Sequence, residues 1–449
     1  MRLKLLSLAL ALVTVSLPGY GQDLLDAYRD ARANDPVLSQ ADATRLATGE
    51  GVDQARALLL PQISADLSLS QTNGGGGTSF IDPNNPGQPI NTGMFGHTRT
   101  RSINGTLSQT VFDFSKYANL KAAHSAAEAQ DDVYRAAQQA LLVRVSQAYL
   151  GVLTSEDALT YAKANEDAFR QQFEQSDQRY KVGLSAITDV YQARAYYEAA
   201  KAQTITAQNT LNDAREALTQ ITGKPAGDLK KLRDDLPMQP PSPNDQDAWV
   251  KQALETNPEL MAQRQNVRTA EHNITAARAG HLPTISAQVS YGKNTSWYEN
   301  ASIQNNRPAS TTIGLSLNVP IFSGGLTQSR VRQSIYQRDS AADAAESQRR
   351  QVVRDTLNYY RSVIAGIAQV ESAKASVESG QKALEATRAG FDVGTQTMTN
   401  VLLAIQTLTS SESGYSQARH QFILNKLLLK QAAGTADVSD LQAINALLK

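Results

Sequence analysis

The chain has 449 residues, no cysteine, and a formal net charge of zero from 43 basic and 43 acidic side chains. The lack of cysteine excludes disulfide bonds, thiolate chemistry and a lipid attached through an N-terminal cysteine, and the balanced charge disfavours nucleic acid as a partner. The length suggests two or three domains, and an aromatic content of 6% favours long helices packed side by side over ordinary globular cores.

The first 21 residues predict a signal peptide. Arg2 and Lys4 precede an apolar run from Leu5 to Leu17, and Gly19–Gly21 offers a cleavage site between small residues. The alternative, a membrane-spanning helix, needs about 20 apolar residues, whereas this run has about thirteen. We therefore expect an exported protein, in which any part that crosses a membrane does so as β-structure.

The rest of the chain is predicted to be a duplication. Asn34–Pro36 recurs as Thr256–Pro258, about 222 residues later, and Leu60–Ala65 recurs in the same way as Leu282–Ala287. A period this long does not fit a solenoid. The predicted divisions are a signal peptide (1–21), a first repeat (22–223), a Pro-rich linker (224–247), a second repeat (248–434) and a C-terminal segment (435–449).

Each copy begins with a helical segment. The first runs from Leu24 to Leu60 and the second from Asp247 to Leu282, and each ends at the proline that follows. Interruptions are expected near Pro36 and Pro258, because proline lacks the N–H that a helix interior requires.

A pair of strands follows in each copy, with apolar residues at every second position. This pattern is typical of transmembrane barrel strands and equally of a half-buried soluble sheet. Long polar loops, Gln71–Arg99 and Asn294–Ser310, favour the barrel. Two copies supply four strands, and a barrel of at least eight therefore needs more than one chain. The apolar positions are Ile63, Ala65, Leu67, Leu69, Ile103, Leu107, Val111, Ile285, Ala287, Val289, Tyr291, Ile313, Leu315, Leu317, Val319 and Ile321.

Each copy ends in a helical hairpin. Ser115–Tyr180 contains no proline and predicts a helix of about 100 Å, while the return from Asp189 to Thr222 predicts about 50 Å. Residues at three-four spacing along these helices predict heptad seams, which are rich in Ala, Ser and Thr. Such seams suit helices that pack closely into a wall. Gly183 and Gly394 lie where the two hairpins reverse, because glycine permits the positive φ of a helix-ending turn.

Several motifs resemble the TolC family of bacterial outer-membrane channels. They are the duplicated halves, the Leu-Pro-x-Ile-Ser strand entry, Val319–Gly325 at the strand exit, and the turns Tyr180–Val190 and Val393–Thr395. The resemblance covers essentially the whole chain after residue 21. It implies an α+β membrane protein that forms a homotrimer. Four strands per chain would form a twelve-stranded transmembrane β-barrel in outer-membrane lipid, continued by a long periplasmic α-helical coiled-coil barrel.

The same resemblance implies a passive exit duct of a tripartite efflux pump or a type I secretion system. A periplasmic adaptor and an inner-membrane transporter of the ABC or RND type would deliver drugs, toxins or proteins to it. The chain has no phosphate-binding loop and its five histidines are scattered, so neither an enzyme nor a cofactor is expected. A soluble periplasmic coiled-coil adaptor or scaffold is the alternative, and the strands with their polar loops argue against it. A passive porin is disfavoured because helices outnumber strands.

The resemblance also implies roles for residues at the hairpin tips. Adaptor docking falls on Val182, Gly183, Leu184, Val393, Gly394 and Thr395. A gate that closes the periplasmic end falls on Tyr180, Thr188, Asp189, Phe391, Gln396, Asn400 and Leu403.

The second tip departs from the family's gate. Phe391 replaces a Tyr, Gln396 replaces an Arg, and Asn400 and Leu403 replace two Asp residues. A constriction of apolar and amide groups holds by packing and hydrogen bonds. We therefore expect it to be less sensitive to salt and pH than an Asp-ringed gate, and a weaker binder of blocking cations. Asp189 fits the gate and fits equally a charge stabilised at a helix N-terminus.

Overall fold

The computed structural model of the chain describes residues 22–73, 76–81, 89–94, 97–298, 305–306 and 308–449. The signal-peptide prediction concerns residues 1–21, which lie outside these ranges. The described residues form nine α-helices and seven strands. Within them, no helix combines the length and the apolar character needed to cross a membrane.

The helices lie where the proline and glycine pattern predicts, although the two that precede the strands end at Ala57 and Arg278, before the predicted Leu60 and Leu282. They are α1 (Leu24–Asn34), α2 (Pro36–Ala57), α3 (Phe114–Lys181), α4 (Ile187–Thr222), α5 (Gln246–Thr256), α6 (Pro258–Arg278), α7 (Leu326–Asp392), α8 (Met398–Ala432) and α9 (Val438–Asn445). A 3₁₀ turn, Ala279–His281, follows α6. The predicted interruptions are confirmed, since α1 and α5 each end two residues before the proline that begins the next helix.

The chain divides into two structural units, and each takes segments from both predicted copies. One consists of Met1–Ser39, Ala136–Asn257 and Val352–Lys449, and the other of Gln40–Arg135 and Pro258–Gln351. Helices α3 and α7 contribute to both units. The division of the chain by repeat stays a prediction.

The second unit contains an antiparallel sheet built from both copies. Its strands are β1 (Gln62–Asn73), β4 (His97–Phe112), β5 (Thr284–Tyr298) and β7 (Ser310–Asn318), in the order β1-β4-β5-β7, with the short β6 (Asn305–Asn306) also paired to β5. The predicted apolar positions fall into register across four strands, because Ile63 faces Leu107, Leu107 faces Val289, and Val289 faces Ile313. The strand pairs and their period of two are confirmed.

Three strand predictions are wrong in detail. The segment Asn294–Ser310 was expected to be loop, but residues 294–298 belong to β5 and Asn305–Asn306 form β6. Strand β7 ends at Asn318, so Val319 and Ile321 lie beyond it, because Pro320 has no N–H to donate to a ladder. The segment Gln71–Arg99 was expected to be loop throughout. It contains the ends of β1 and β4 and a separate hairpin of β2 (Gly76–Ile81) with β3 (Pro89–Met94).

In the first unit, the junction between α1 and α2 lies against the end of α4. The Asn34 side chain donates to the Thr222 carbonyl (3.0 Å), and a Cβ on Gly223 would lie 2.8 Å from Asn34 Cβ. The buried carboxylate of Asp35 accepts from the Leu38 N–H (2.8 Å) and from the Arg144 guanidinium (2.7 Å). A paired charge therefore fixes this junction.

The equivalent junction of the second copy, before α6, lies against the end of α8 and is held by hydroxyl and amide hydrogen bonds. Thr256 Oγ1 donates to the Ala433 carbonyl (2.6 Å) and Asn257 Nδ2 to the Ala432 carbonyl (3.0 Å). Gly434 adopts φ of 71°, and a Cβ there would overlap the backbone of Thr256 and Asn257. Glycine is required at this contact because the two backbones meet.

The Pro-rich linker and the C-terminal segment tie distant parts of the first unit together. The Leu24 N–H donates to Asn445 Oδ1, and Asn445 Nδ2 donates to Asp23 Oδ2, both at 3.1 Å. Isolated β-bridges join Gln22 to Leu229 and Leu232 to Leu448.

Candidate functional site: the hairpin tips

The first tip joins α3 to α4 through a glycine turn. Gly183 has φ of 76°, its N–H donates to the Tyr180 carbonyl (2.9 Å), and the Leu184 N–H donates to the Arg179 carbonyl (2.8 Å). These two bonds form a Schellman motif, which satisfies carbonyls that the end of a helix leaves free. Val182 and Leu184 project from this turn with exposed side chains.

Helix α4 begins at this tip without a side-chain cap, because its N-cap residue is Ala186. Asp189 lies in the first turn and accepts from Ser185 Oγ (2.8 Å), an arrangement that the helix dipole favours. Thr188 is exposed. The hydrogen bond from Ser185 therefore agrees with the interpretation of Asp189 as a charge at the N-terminus of α4.

The second tip repeats the same turn between α7 and α8. Gly394 has φ of 80°, its N–H donates to the Phe391 carbonyl (3.1 Å), and the Thr395 N–H donates to the Gly390 carbonyl (2.8 Å). Here the helix that follows is capped, because the Thr397 side chain accepts from the Asn400 N–H. The two tips share a backbone motif and differ in their capping.

Two predicted gate residues, Asn400 and Leu403, lie on one exposed face of α8. Gln396 lies in the turn before α8 begins at Met398, and its side chain is also exposed. Asn400 Nδ2 donates to Gln396 Oε1 (2.7 Å), so two of the expected amide groups are bonded to each other. The opposite face of α8 is buried through Met398, Val401, Leu402 and Ile405.

An apolar core holds the two hairpins together behind their tips. Phe169 of α3, Ala200 of α4 and Leu384 of α7 pack with the buried residues of α8, and Phe391 packs against the edge of this cluster. Thr399 Oγ1 also donates to Gln192 Oε1 (3.2 Å), which connects α8 to α4. The core fixes the position from which each tip projects.

One residue near the predicted gate was missed by the sequence prediction. The Arg179 guanidinium lies over the Phe391 ring, with 4.8 Å between Cζ and the ring centroid. Among the described residues, no hydrogen bond or ring contact connects Tyr180, Thr188 or Asp189 with the predicted gate residues of the second tip. The sequence does hold a signal for Arg179: the positions three and four residues away are Gln175, Ser176, Val182 and Gly183, none of them acidic.

A buried polar group lies farther along α8. His420 Nδ1 is 2.9 Å from Thr154 Oγ1, and burial lowers the pKa of His420 to about 4 despite the nearby carboxylate of Asp157. Arg419, also buried, donates to the Arg233 carbonyl in the linker. In the described part of the chain, no group of His, Asp or Glu side chains could hold a metal ion.

Comparisons with known proteins agree with this architecture. The chain matches the family model described as outer membrane efflux protein over residues 27–224 and 249–435. It is 33% identical over 448 residues to the outer membrane protein TolC of Escherichia coli (strain K12), covering 97% of this chain and 87% of that protein.

Another relative is the alkaline protease secretion protein AprF of Pseudomonas aeruginosa, at 29% identity over 94% of this chain and 86% of AprF. The crystal structure of the CmeC outer membrane channel of Campylobacter jejuni superposes with a TM-score of 0.76 at 16% identity, covering 95% of this chain and 90% of that one. The α+β fold predicted from the sequence is confirmed.

Proposed function

Because the chain belongs to the outer membrane efflux protein family and is therefore an exit duct in the outer membrane, we propose that it works as a homotrimer fed by a periplasmic adaptor and an ABC or RND-type inner-membrane transporter. The family consists of channels and is not one of enzymes. The soluble adaptor considered from the sequence is not favoured, because the relatives are exit ducts for efflux and secretion.

The observation that supports the trimer is a sheet with two free edges and an exposed apolar face. In the described sheet β1 pairs only with β4, and β7 pairs only with β5. Unpaired strand edges are templates for pairing with another chain. Leu67 is 73% exposed and Ile313 is 78% exposed, which suits contact with lipid. Three copies would supply the twelve strands expected for a closed barrel.

The mass of the unheated complex in detergent, extracted from the outer-membrane fraction, tests this proposal. Three chains are expected. Leu67→Arg should reduce assembly, because a cation on a lipid-facing position costs about 2–4 kcal/mol near the middle of the bilayer. Ser68→Arg is the matched control on the opposite face and should assemble normally. A monomer or dimer found in the periplasm would contradict the trimeric duct.

We assign adaptor docking to the exposed apolar residues of both tips, which are Val182 and Leu184 in the first and Val393 in the second. Since the chain has no cysteine, Leu184→Cys or Val393→Cys creates a single attachment point for a photo-crosslinker. Both variants should capture the adaptor in cells. Ile205→Cys is the control, because Ile205 is as exposed but lies in the middle of α4. Equal capture from all three positions would refute the assignment.

We propose that Gln396, Asn400 and Leu403 line the gate and make it insensitive to multivalent cations, because none of them carries a charge. Single-channel recordings with such cations added on the periplasmic side should show little block. Asn400→Asp together with Leu403→Asp should introduce strong block, since each copy then contributes two carboxylates. Strong block of the unmodified channel would contradict this assignment.

The kind of export is tested separately. AprF is named for protease secretion, whereas the family model is described by efflux. Deleting the gene and measuring both drug susceptibility and secreted protein distinguishes the two, and we expect complementation by this chain to restore at least one of them.

A further inference from the structure

Arg179 is a cation at the gate with no carboxylate partner among the described residues. Its neighbours on α3 are paired: Arg170 lies 3.0 Å from Asp167, and Lys181 lies 2.6 Å from Asp177. The Arg179 guanidinium lies instead over the face of Phe391, on the other hairpin. This is the geometry in which an aromatic ring attracts a cation.

Both partners are held at fixed points of the backbone. The carbonyl of Arg179 accepts from Leu184 in the first glycine turn, and the carbonyl of Phe391 accepts from Gly394 in the second. The ring of Phe391 also packs against the core behind the tips. Because the turns and the core already order both residues, the contact between Arg179 and Phe391 forms with little further loss of conformational entropy.

We propose that Arg179 and Phe391 form a latch that holds hairpin α3–α4 to hairpin α7–α8 in the closed gate. This inference rests on the proposed function, in which the tips are the gate. A phenylalanine ring offers only its face to a cation, whereas the tyrosine expected from the family also offers a hydroxyl. In this chain the latch therefore combines one guanidinium with one ring and uses no ion pair.

The latch predicts a specific effect on gating. A partly exposed contact of this kind should change the ratio of open to closed states by about 2- to 5-fold per copy. In a homotrimer all three copies carry the substitution, so Arg179→Met and Phe391→Leu should each raise the ratio of open to closed channels in planar bilayers by about 10- to 100-fold. The double variant should open no more readily than either single variant. Phe391→Trp should lower the open probability, because indole binds cations more strongly.

Matched controls separate the latch from a general loss of structure. Arg170→Met removes a cation from the same helix and should leave gating unchanged, because Arg170 lies over no ring of the second tip. All variants should keep the unheated mass and the thermal unfolding of the unmodified protein. If the effects of Arg179→Met and Phe391→Leu simply add, or if neither changes the open probability, the latch is wrong.

A cross-link distinguishes failure of the latch from failure of the gate assignment. Gln192→Cys with Thr399→Cys places two thiols where α4 and α8 are in hydrogen-bond contact, and a short bis-thiol reagent would join them. A joined channel that opens less often than the unmodified one supports the gate, and the single variants then decide the latch. A joined channel that opens as often as the unmodified one shows that the tips are not the gate, and it overturns the latch as well.

Discussion

The returning helices of the two copies have the same place in the duplication but different roles in the first unit. Helix α4 has seven buried residues, and three of them are the alanines Ala193, Ala200 and Ala207. Those of α8 include Met398, Leu402, Ile405, Phe422, Ile423, Leu427 and Leu429, together with Arg419 and His420. Helix α4 of the first copy therefore buries mainly small side chains, whereas α8 of the second copy supplies much of the apolar core.

This difference shows that the two copies share their backbone turns but contribute unequally to the apolar core. The glycine turns, the proline interruptions and the Schellman motifs occur in both copies. The core behind the tips takes four of its seven members from α8. Substitutions at equivalent positions should therefore have unequal effects, and the second copy should be the more sensitive one.

The largest expected difference is between Gly434→Ala and Gly223→Ala. Both glycines have φ of 71°. A Cβ on Gly434 would overlap the backbone of Thr256 and Asn257, whereas one on Gly223 would meet the side chain of Asn34. We expect Gly434→Ala to lower the free energy of unfolding by about 4 kcal/mol and Gly223→Ala by about 2 kcal/mol.

The measurement is thermal unfolding in detergent, followed by the helical circular dichroism signal. Gly394→Ala is the control, because its φ is 80° but a Cβ there would meet nothing within 4 Å. It should cost about 1–2 kcal/mol from backbone strain alone. Equal losses at Gly223 and Gly434 would refute the unequal packing of the two junctions.

The next effect concerns pH and belongs to the second copy. His420 is buried with a pKa of about 4, whereas the unfolded chain has a value near 6.5, so the unfolded state binds more protons between these values. The resulting stability is present above pH 6.5 and is lost as the pH falls to about 4, by about 3 kcal/mol in total. Its counterpart in α4, Asn209, does not titrate in this range.

Unfolding measured from pH 7 to pH 4 tests this dependence. His420→Gln should flatten the curve in that range, while Asn209→Gln should leave its shape unchanged. An unaltered slope in His420→Gln would mean that another group is responsible.

A smaller effect is expected at the junctions before α2 and α6. Asp35→Asn removes the charged partner of Arg144 and should lower the free energy of unfolding by about 2 kcal/mol. This loss is smaller than for a fully buried ion pair, because the Arg144 side chain is 32% exposed to solvent. Asn257→Asp replaces the Nδ2 donor with an oxygen that repels the Ala432 carbonyl and should cost at least as much. Both are measured by unfolding at pH 7, with Asp26→Asn as the exposed control. A neutral Asp35→Asn would show that the charge is dispensable.

The smallest effect compares the caps at the tips. Thr397→Ala removes the only side-chain cap of α8 and should cost about 1 kcal/mol, while Ala186→Ser adds one to α4 and should stabilise it by a similar amount. Amide hydrogen exchange in the first turns of α4 and α8 reports this locally. Faster exchange after Ala186→Ser would contradict the expected gain.

The sequence predicts the elements well because their signals are local. Prolines interrupt or end helices, glycines end the two long ones, and alternation predicts the row from Ile63 to Ile313. The error at β7 came from extending the alternation through Pro320. The separate hairpin of β2 and β3 was missed because its segment is rich in Gly, Asn and Pro, which reads as loop.

The contacts between elements were harder to predict. The heptad spacing predicts a seam along α8 that omits Leu402, Ile405 and Ile423, because the buried face of this helix is wider than a single seam. The predicted seam residues are Val401, Ala404, Leu408, Ser411, Tyr415, Ala418 and Phe422. Arg179 lacks an acidic neighbour, which marks it as unusual, but nothing in the sequence places it over Phe391. Such pairs depend on how four helices meet.

The hydrogen bonds that join Asp23 and Leu24 to Asn445 also constrain how the protein matures. Their partners are more than 420 residues apart along the chain, so they form only after almost all of it has been delivered. Contacts of such high sequence separation form late because closing a large loop must precede them. Until then α1 lacks its final anchor. A chain delivered from its N-terminal end therefore cannot complete these contacts until its C-terminal segment has arrived.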